Sequence, residues 1–188
     1  MNKIDDNSLM LLVKAGDLDR MSVLFERHSR SLYGFLFHMT GRRDVSEDLA
    51  QNVFYRMLKY RQGFTVNSHF SGWMYHIARN ELKDHFKKRG AAAQYDQLDD
   101  HEERIGDGLL LDEHLEKKEA RRGLAKAMLK LNEQDREILI LSRFQELKYA
   151  EIGDIIGITP GAVKVRIYRA MQELKQIYLK IEHKTGIR

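Results

Sequence analysis

Tyr149-Ala150-Glu151-Ile152-Gly153-Asp154-Ile155-Ile156-Gly157-Ile158-Thr159-Pro160-Gly161-Ala162-Val163-Lys164-Val165-Arg166-Ile167-Tyr168-Arg169-Ala170 reads as two helices broken by one tight turn. Gly157 suits the turn, Thr159 can cap the second helix, and Pro160 takes its first position, where a missing N–H costs nothing. At about 100° per residue, Val163, Ile167, Ala170 and Leu174 fall on one side of that helix. Gly161, Val165, Tyr168, Arg169 and Gln172 fall on the other, with Lys164 and Arg166 flanking them. The small Gly161 and Val165 near the helix start permit close approach to base edges. In the preceding helix Tyr149, Ile152, Gly153 and Ile156 form the expected inner face. The pattern predicts a helix-turn-helix whose second helix enters a major groove while flanking cations meet phosphates.

The rest of the chain agrees with a helical protein. It has 188 residues, one proline and no cysteine. Absence of Cys removes disulfide frameworks, Cys-ligated zinc and thiol chemistry. Long stretches rich in Leu, Lys, Glu, Arg and Met favour helix, so an all-α fold is expected. No apolar run approaches the roughly 18 residues that a membrane span requires. Met1-Asn2-Lys3-Ile4-Asp5-Asp6 is acidic where a signal peptide would be basic and then apolar. A soluble, cytoplasmic protein is expected.

Charge divides the chain in three. Residues 1–90 carry a balance of +5, residues 91–117 of −7 and residues 118–188 of +6. Two basic blocks around an acidic connection suggest two domains able to meet a polyanion. We therefore expect a first helical domain over 1–90, an acidic linker over 91–114 and a second helical domain over 115–188. The linker contains the run Asp99-Asp100-His101-Glu102-Glu103 and helix-interrupting Gly106 and Gly108; its side-by-side charges read as solvated rather than as a metal site. In the first domain helices are expected from about Asn7 to Gly16, capped by Asp6 or Asn7, then from near Asp17 to Gly41, from Asp44 to about Tyr60, and from about Gly72 to Lys88. Gln62–Ser71 reads as a loop holding Phe64 and Phe70. The second domain opens with Ala120, Leu124, Ala127, Met128 and Leu131 as one stripe, followed by Asn132 as the cap of a helix carrying Ile138, Leu139 and Leu141.

The fourth helix has a second basic face. Met74, Ile77, Ala78 and Leu82 share one side, while His76, Arg79, Asn80, Lys83 and Lys87 share the other, with Trp73 on its margin. Lys and Arg there suit phosphates, and an aromatic edge suits stacking on unpaired bases. His28, His38 and His85 read as interfacial or core-edge residues. His69 and His76 lack a carboxylate spaced for metal coordination.

These residues resemble the bacterial sigma-70 family in its extracytoplasmic-function (ECF) form. The likeness to the family's sigma-2 domain is carried by Leu32-Tyr33, Thr40-Gly41, Ser46 to Phe54, and Phe70-Ser71-Gly72-Trp73-Met74-Tyr75-His76-Ile77-Ala78-Arg79-Asn80. The likeness to sigma-4 is carried by Leu131, Arg136, Glu151-Ile152-Gly153, Gly157-Ile158 and Gly161 to Ala170. It covers about four-fifths of the chain. The family usually has Thr at Ala162, Ser at Val165 and Ala at Gly153, so this recognition helix lacks two hydroxyls.

The resemblance implies a non-catalytic sigma factor that directs core RNA polymerase to promoters and needs no metal or cofactor. It implies that Asp44, Glu47, Asp48, Gln51, Asn52 and Tyr55 bind the clamp of the largest polymerase subunit, with the polymerase flap a further partner. Phe64, Ser68 and Phe70 would line a pocket for a flipped base of the −10 element, while Trp73, His76, Arg79, Asn80, Lys83 and Lys87 hold the strand. The second helix-turn-helix segment would read the −35 element through Thr159, Gly161, Lys164, Val165, Arg166, Tyr168, Arg169 and Gln172. The linker would pass through the polymerase as a nucleic-acid mimic, and an anti-sigma factor would wedge between the domains. Two other classes remain open on the residues alone: a polymerase-independent dimeric helix-turn-helix regulator, and a metal-dependent nuclease.

Overall fold

The computed structural model describes residues 4–92 and 115–185, which hold eight α-helices and, among the described residues, no strand. The expected acidic linker lies outside the described residues apart from Ala91 and Ala92. The helices are α1 (Asp6–Ala15), α2 (Arg20–Thr40), α3 (Arg43–Lys59), α4 (Phe70–Ala92), α5 (Leu115–Lys130), α6 (Glu133–Arg143), α7 (Tyr149–Ile156) and α8 (Pro160–Thr185), with a 3-10 turn at Arg61–Gly63 before α4.

Local chemistry sets most of the ends. Asp5, rather than Asp6 or Asn7, caps α1 by accepting from the Ser8 amide at 2.9 Å. Gly41 closes α2 with φ 71°, the left-handed conformation that glycine adopts without a Cβ penalty. Asn132 caps α6 by accepting from the Asp135 amide at 2.9 Å. Two expected ends shift. Helix α2 starts at Arg20, because Asp17 to Asp19 form a turn that Arg20 braces through the Asp17 carboxylate. Helix α4 starts at Phe70, whose amide donates to Asn7 Oδ1 at 2.7 Å, a partner supplied by α1 and invisible to local pattern. It also runs through Gly90 to Ala92, beyond the expected domain boundary.

The N-terminal half packs α1, α3 and α4 around α2, which buries Leu32, Phe35, Leu36 and Met39 along one stripe. Each fully buried side chain of this size contributes about 2 kcal/mol of transfer free energy. In the C-terminal half α8 packs against α5, α6 and α7, burying Val163, Ile167, Ala170 and Leu174 as the periodicity predicts. Of the expected stripe only Ala127 and Met128 on α5 and Leu131 just after it are buried. Ala120 and Leu124 instead edge an open cleft with Arg121 and Tyr178, because this end of α5 meets α8 through the Tyr178 ring lying over Gly123.

The two halves are not separate lobes with solvent between them. Helix α2 packs on α5 and α6, α4 packs on α7, and the buried apolar residues of both halves form one continuous cluster. The left-handed Gly41 sits at this junction, with the Leu129 side chain 3.0 Å from where its Cβ would be.

The inner face of α7 is Ile152, Gly153 and Ile155; Tyr149 is exposed and Ile156 half-buried. In this chain the turn that follows packs closely against Gly153. A Cβ there would stand 2.6 Å from the Ile158 carbonyl oxygen, a backbone atom with little room to move. Gly153→Ala gains about 1 kcal/mol of helix propensity but overpacks the turn by more. The expected result is a net loss of about 1–2 kcal/mol, seen as a melting temperature lowered by several degrees in a circular-dichroism melt. An unchanged or raised melting temperature would show that the turn can relax.

Candidate nucleic-acid interface

The α7–turn–α8 unit has the geometry that groove reading requires. Gly157 is left-handed at φ 78°, and Thr159 Oγ1 accepts from the Ala162 amide at 3.2 Å, starting α8 at Pro160. With the apolar stripe of α8 buried, Thr159, Gly161, Lys164, Val165, Tyr168, Arg169 and Gln172 are all exposed on its outer side. Nothing lies within 4 Å of a Cβ position at Gly161, so the helix start can approach a partner closely. Arg166 departs from this group. Its Nε donates to Asp135 at 2.7 Å and its second amino group to Gln134 Oε1 at 2.6 Å, so it is turned onto α6. Its place at the margin of the buried stripe brings it within reach of those acceptors.

Helix α4 exposes His76, Asn80, Lys83 and Lys87 on the side opposite buried Met74, Ile77, Ala78 and Leu82. Trp73 is half-buried and meets Phe64 edge-on, ring centroids 5.3 Å apart. The flipped-base pocket expected of Phe64, Ser68 and Phe70 is not formed. Phe64 is fully buried, its carbonyl accepting from Lys14 Nζ at 2.6 Å, and Phe70 is buried against His28. Both aromatics belong to the core because α1 closes over the loop that carries them. Ser68 is half-exposed and shares a 2.8 Å hydrogen bond with Thr65. Arg79, expected on the strand-binding face, turns toward the C-terminal half: its Nε donates to Glu137 Oε1 at 2.6 Å, and another nitrogen donates to the Ile155 carbonyl.

Helix α3 exposes Asp44, Glu47, Asp48, Gln51, Asn52 and Tyr55 together, while Leu49 and Val53 are buried. The Arg42 guanidinium, 2.6 Å from Asp44, holds that carboxyl below the usual range. The exposed Phe25 of α2 packs on Phe54 beside this face, with ring centroids 4.8 Å apart. An acidic, amide-rich face with aromatic edges suits a basic protein partner better than DNA.

The residues that sequence reasoning missed lie where the halves meet. Gln145 Oε1 accepts from the hydroxyls of Ser31 and of Tyr75, the latter at 2.8 Å. Burial pushes the Tyr75 phenol up to about 12, so it stays a donor. His38, expected from the sequence as an interfacial or core-edge residue, stacks on Phe144 with ring centroids 4.1 Å apart, and burial pulls its imidazole pKa down. Glu137 is buried, and desolvation raises its carboxyl pKa although Arg79 opposes the shift. The available signal was an acid abutting the apolar run Ile138–Leu141; its partner Arg79 is 58 residues away.

Comparison with known proteins matches both halves. The family description "Sigma-70 region 2" fits residues 24–92, and "Sigma-70, region 4" fits residues 121–174. The ECF RNA polymerase sigma factor SigW of Bacillus subtilis is 29% identical over 171 residues, covering 87% of this chain and 91% of the relative. The ECF RNA polymerase sigma factor BldN of Streptomyces coelicolor is 30% identical over 181 residues, covering 92% of this chain and 67% of the relative. Among solved structures, CnrH in complex with the cytosolic domain of CnrY matches with a TM-score of 0.69 at 20% identity, over 92% of this chain and 96% of that one. The sigma factor RpoE of Bartonella quintana, bound to the anti-sigma factor NepR, matches at 0.65 and 24% identity, over 86% and 97%. A regulator sharing only the helix-turn-helix would leave the region-2 match unexplained. The chain belongs to the sigma-70 family of RNA polymerase sigma factors, in its extracytoplasmic-function group.

Proposed function

We propose that this sigma factor grips one promoter at two places while a third surface docks on core RNA polymerase. The observation that carries the reading is that α4 and α8 each present exposed cations opposite a buried apolar stripe, whereas α3 presents an acidic, amide-rich face. Lys164, Arg169, Tyr168 and Gln172, with Gly161 and Val165 allowing close approach, read the −35 duplex. His76, Asn80, Lys83 and Lys87 hold the −10 strand, and the exposed edge of Trp73 stacks on an unpaired base. Asp44, Glu47, Asp48, Gln51, Asn52 and Tyr55 meet the polymerase clamp, and the C-terminal half meets the flap. Arg79 and Arg166 join the DNA contacts only after leaving their carboxylates. Residues 1–90 and 115–188 act as separable units joined by 91–114. The protein works in the cytoplasm, carries out no chemistry of its own, and is held inactive by an anti-sigma factor, as RpoE of Bartonella quintana is bound by NepR.

Core polymerase supplied with this protein and sheared chromosomal DNA is expected to give discrete transcript starts that share two upstream sequence blocks. Starts no more focused than those of core alone would reject the reading.

A further inference from the structure

Helix α6 holds one arginine from each of the two helices whose outer faces are basic. Glu137 accepts from Arg79 of α4 at 2.6 Å, and Asp135 accepts from Arg166 of α8 at 2.7 Å. The Arg79 pair also ties the halves together, since its guanidinium reaches the Ile155 carbonyl in α7. Beside it, Gln145 gathers the Ser31 and Tyr75 hydroxyls, and Arg136 donates to the Met39 carbonyl at 2.7 Å.

Stability alone is a poor reason for such a pair. Glu137 is buried and Arg79 half-buried, and a carboxylate held in that way is commonly matched or bettered by an apolar residue of the same volume. What the pair does is occupy a cation on a helix whose neighbouring exposed residues are His76, Asn80, Lys83 and Lys87.

We propose that Glu137 is an intramolecular competitor for nucleic acid: it takes the place of a strand phosphate on Arg79, so that closure of the two halves withdraws one cation from α4, and release of Arg79 opens them. The proposal rests on the reading of α4 as the strand-binding helix. Arg79 thus has two alternative partners, a carboxylate in the closed protein and a phosphate in the open one, and nucleic acid drives opening by the difference between them.

The test uses the full chain and a fluorescein-labelled, mixed-sequence DNA strand of about 20 nucleotides. Glu137→Gln keeps the side-chain volume and removes the charge. It is expected to tighten strand binding on the order of tenfold. It should also steepen the dependence of log K on log salt by about 0.7, the share of one added phosphate contact on a single strand. Small-angle scattering should show a larger radius of gyration. The double variant Arg79→Ala/Glu137→Gln should lose the gain in binding. If Glu137→Gln fails to fold, Gln145→Ala loosens the same junction at a half-buried neutral residue and should shift binding in the same direction. Unchanged affinity and slope in the folded variant overturn the proposal, as does a gain that survives loss of Arg79. Lys83→Ala/Lys87→Ala in the otherwise native chain separates this failure from failure of the underlying reading. Weaker strand binding there, with no response to Glu137→Gln, removes the competitor and leaves the strand-binding helix standing. No effect of the lysines removes both.

Discussion

Lys164→Glu/Arg169→Glu lowers affinity for a cognate −35 duplex a hundredfold or more at physiological salt, and leaves association with core polymerase unchanged. Both side chains are exposed on the outer side of α8, and neither carries the buried stripe of Val163, Ile167, Ala170 and Leu174. Losing a well-placed base or phosphate contact costs about 1–3 kcal/mol. Reversing rather than removing the charge adds repulsion from the phosphates. Because each neutralised phosphate contributes about 0.9 to the salt slope on duplex DNA, the double variant should also flatten that slope by about 2. Fluorescence anisotropy across a salt series measures both. Affinity within threefold of native, with the melting temperature preserved, would remove α8 from the −35 assignment.

The contrast with Arg166 sharpens that expectation. The three cations lie within six residues on one helix, yet Arg166 is committed to Asp135 and Gln134 while Lys164 and Arg169 are exposed. Helical position separates inner from outer residues but does not say what waits at the margin. The same limit governs what else could be read from the chain. The turn at Gly157, the Thr159 cap and the stripes of α4 and α8 were legible because each is decided within a few residues of itself. The acidic face of α3 was legible for the same reason. Phe64 and Phe70 were not, since their burial depends on Lys14 and Asn7 of α1 reaching about fifty and sixty residues along the chain. Arg79 falls on the basic side of α4 by periodicity, and only Glu137 and the Ile155 carbonyl, from the other half, decide which way it turns. Contacts between elements distant in the chain therefore account for the departures at the candidate site, within one half for Phe64, Phe70 and Arg166 and between the halves for Arg79, while the outer faces of the helices were read from periodicity alone.

Arg136→Met is expected to destabilise the protein by roughly 3 kcal/mol. For a chain of this size that lowers the melting temperature by about 6–12 °C. Arg136 was noticed only as part of a family resemblance, yet it is 9% exposed and donates to three carbonyls: Met39 at 2.7 Å, Leu129 at 2.9 Å and Leu131 at 3.0 Å. These lie at or just beyond the C-terminal ends of α2 and α5, where the last carbonyls have no intrahelical partner and a cation offsets the negative end of the dipole. Burial pulls the guanidinium pKa down, but from a starting point so high that the charge is retained. Methionine keeps much of the side chain's bulk and flexibility, so the loss reports on the carbonyls rather than on a cavity. Two of the three acceptors belong to the arginine's own half. Separation of the halves therefore sacrifices only the Met39 bond, and the defect persists in the open protein. Arg136→Lys, which keeps the charge but cannot span three acceptors with a planar fork, should recover less than half of the lost stability. Thermal and urea unfolding of the three proteins, followed by circular dichroism, give the comparison. A melting temperature for Arg136→Met within 2 °C of native, or full recovery by lysine, would mean that water serves these carbonyls as well as the guanidinium does.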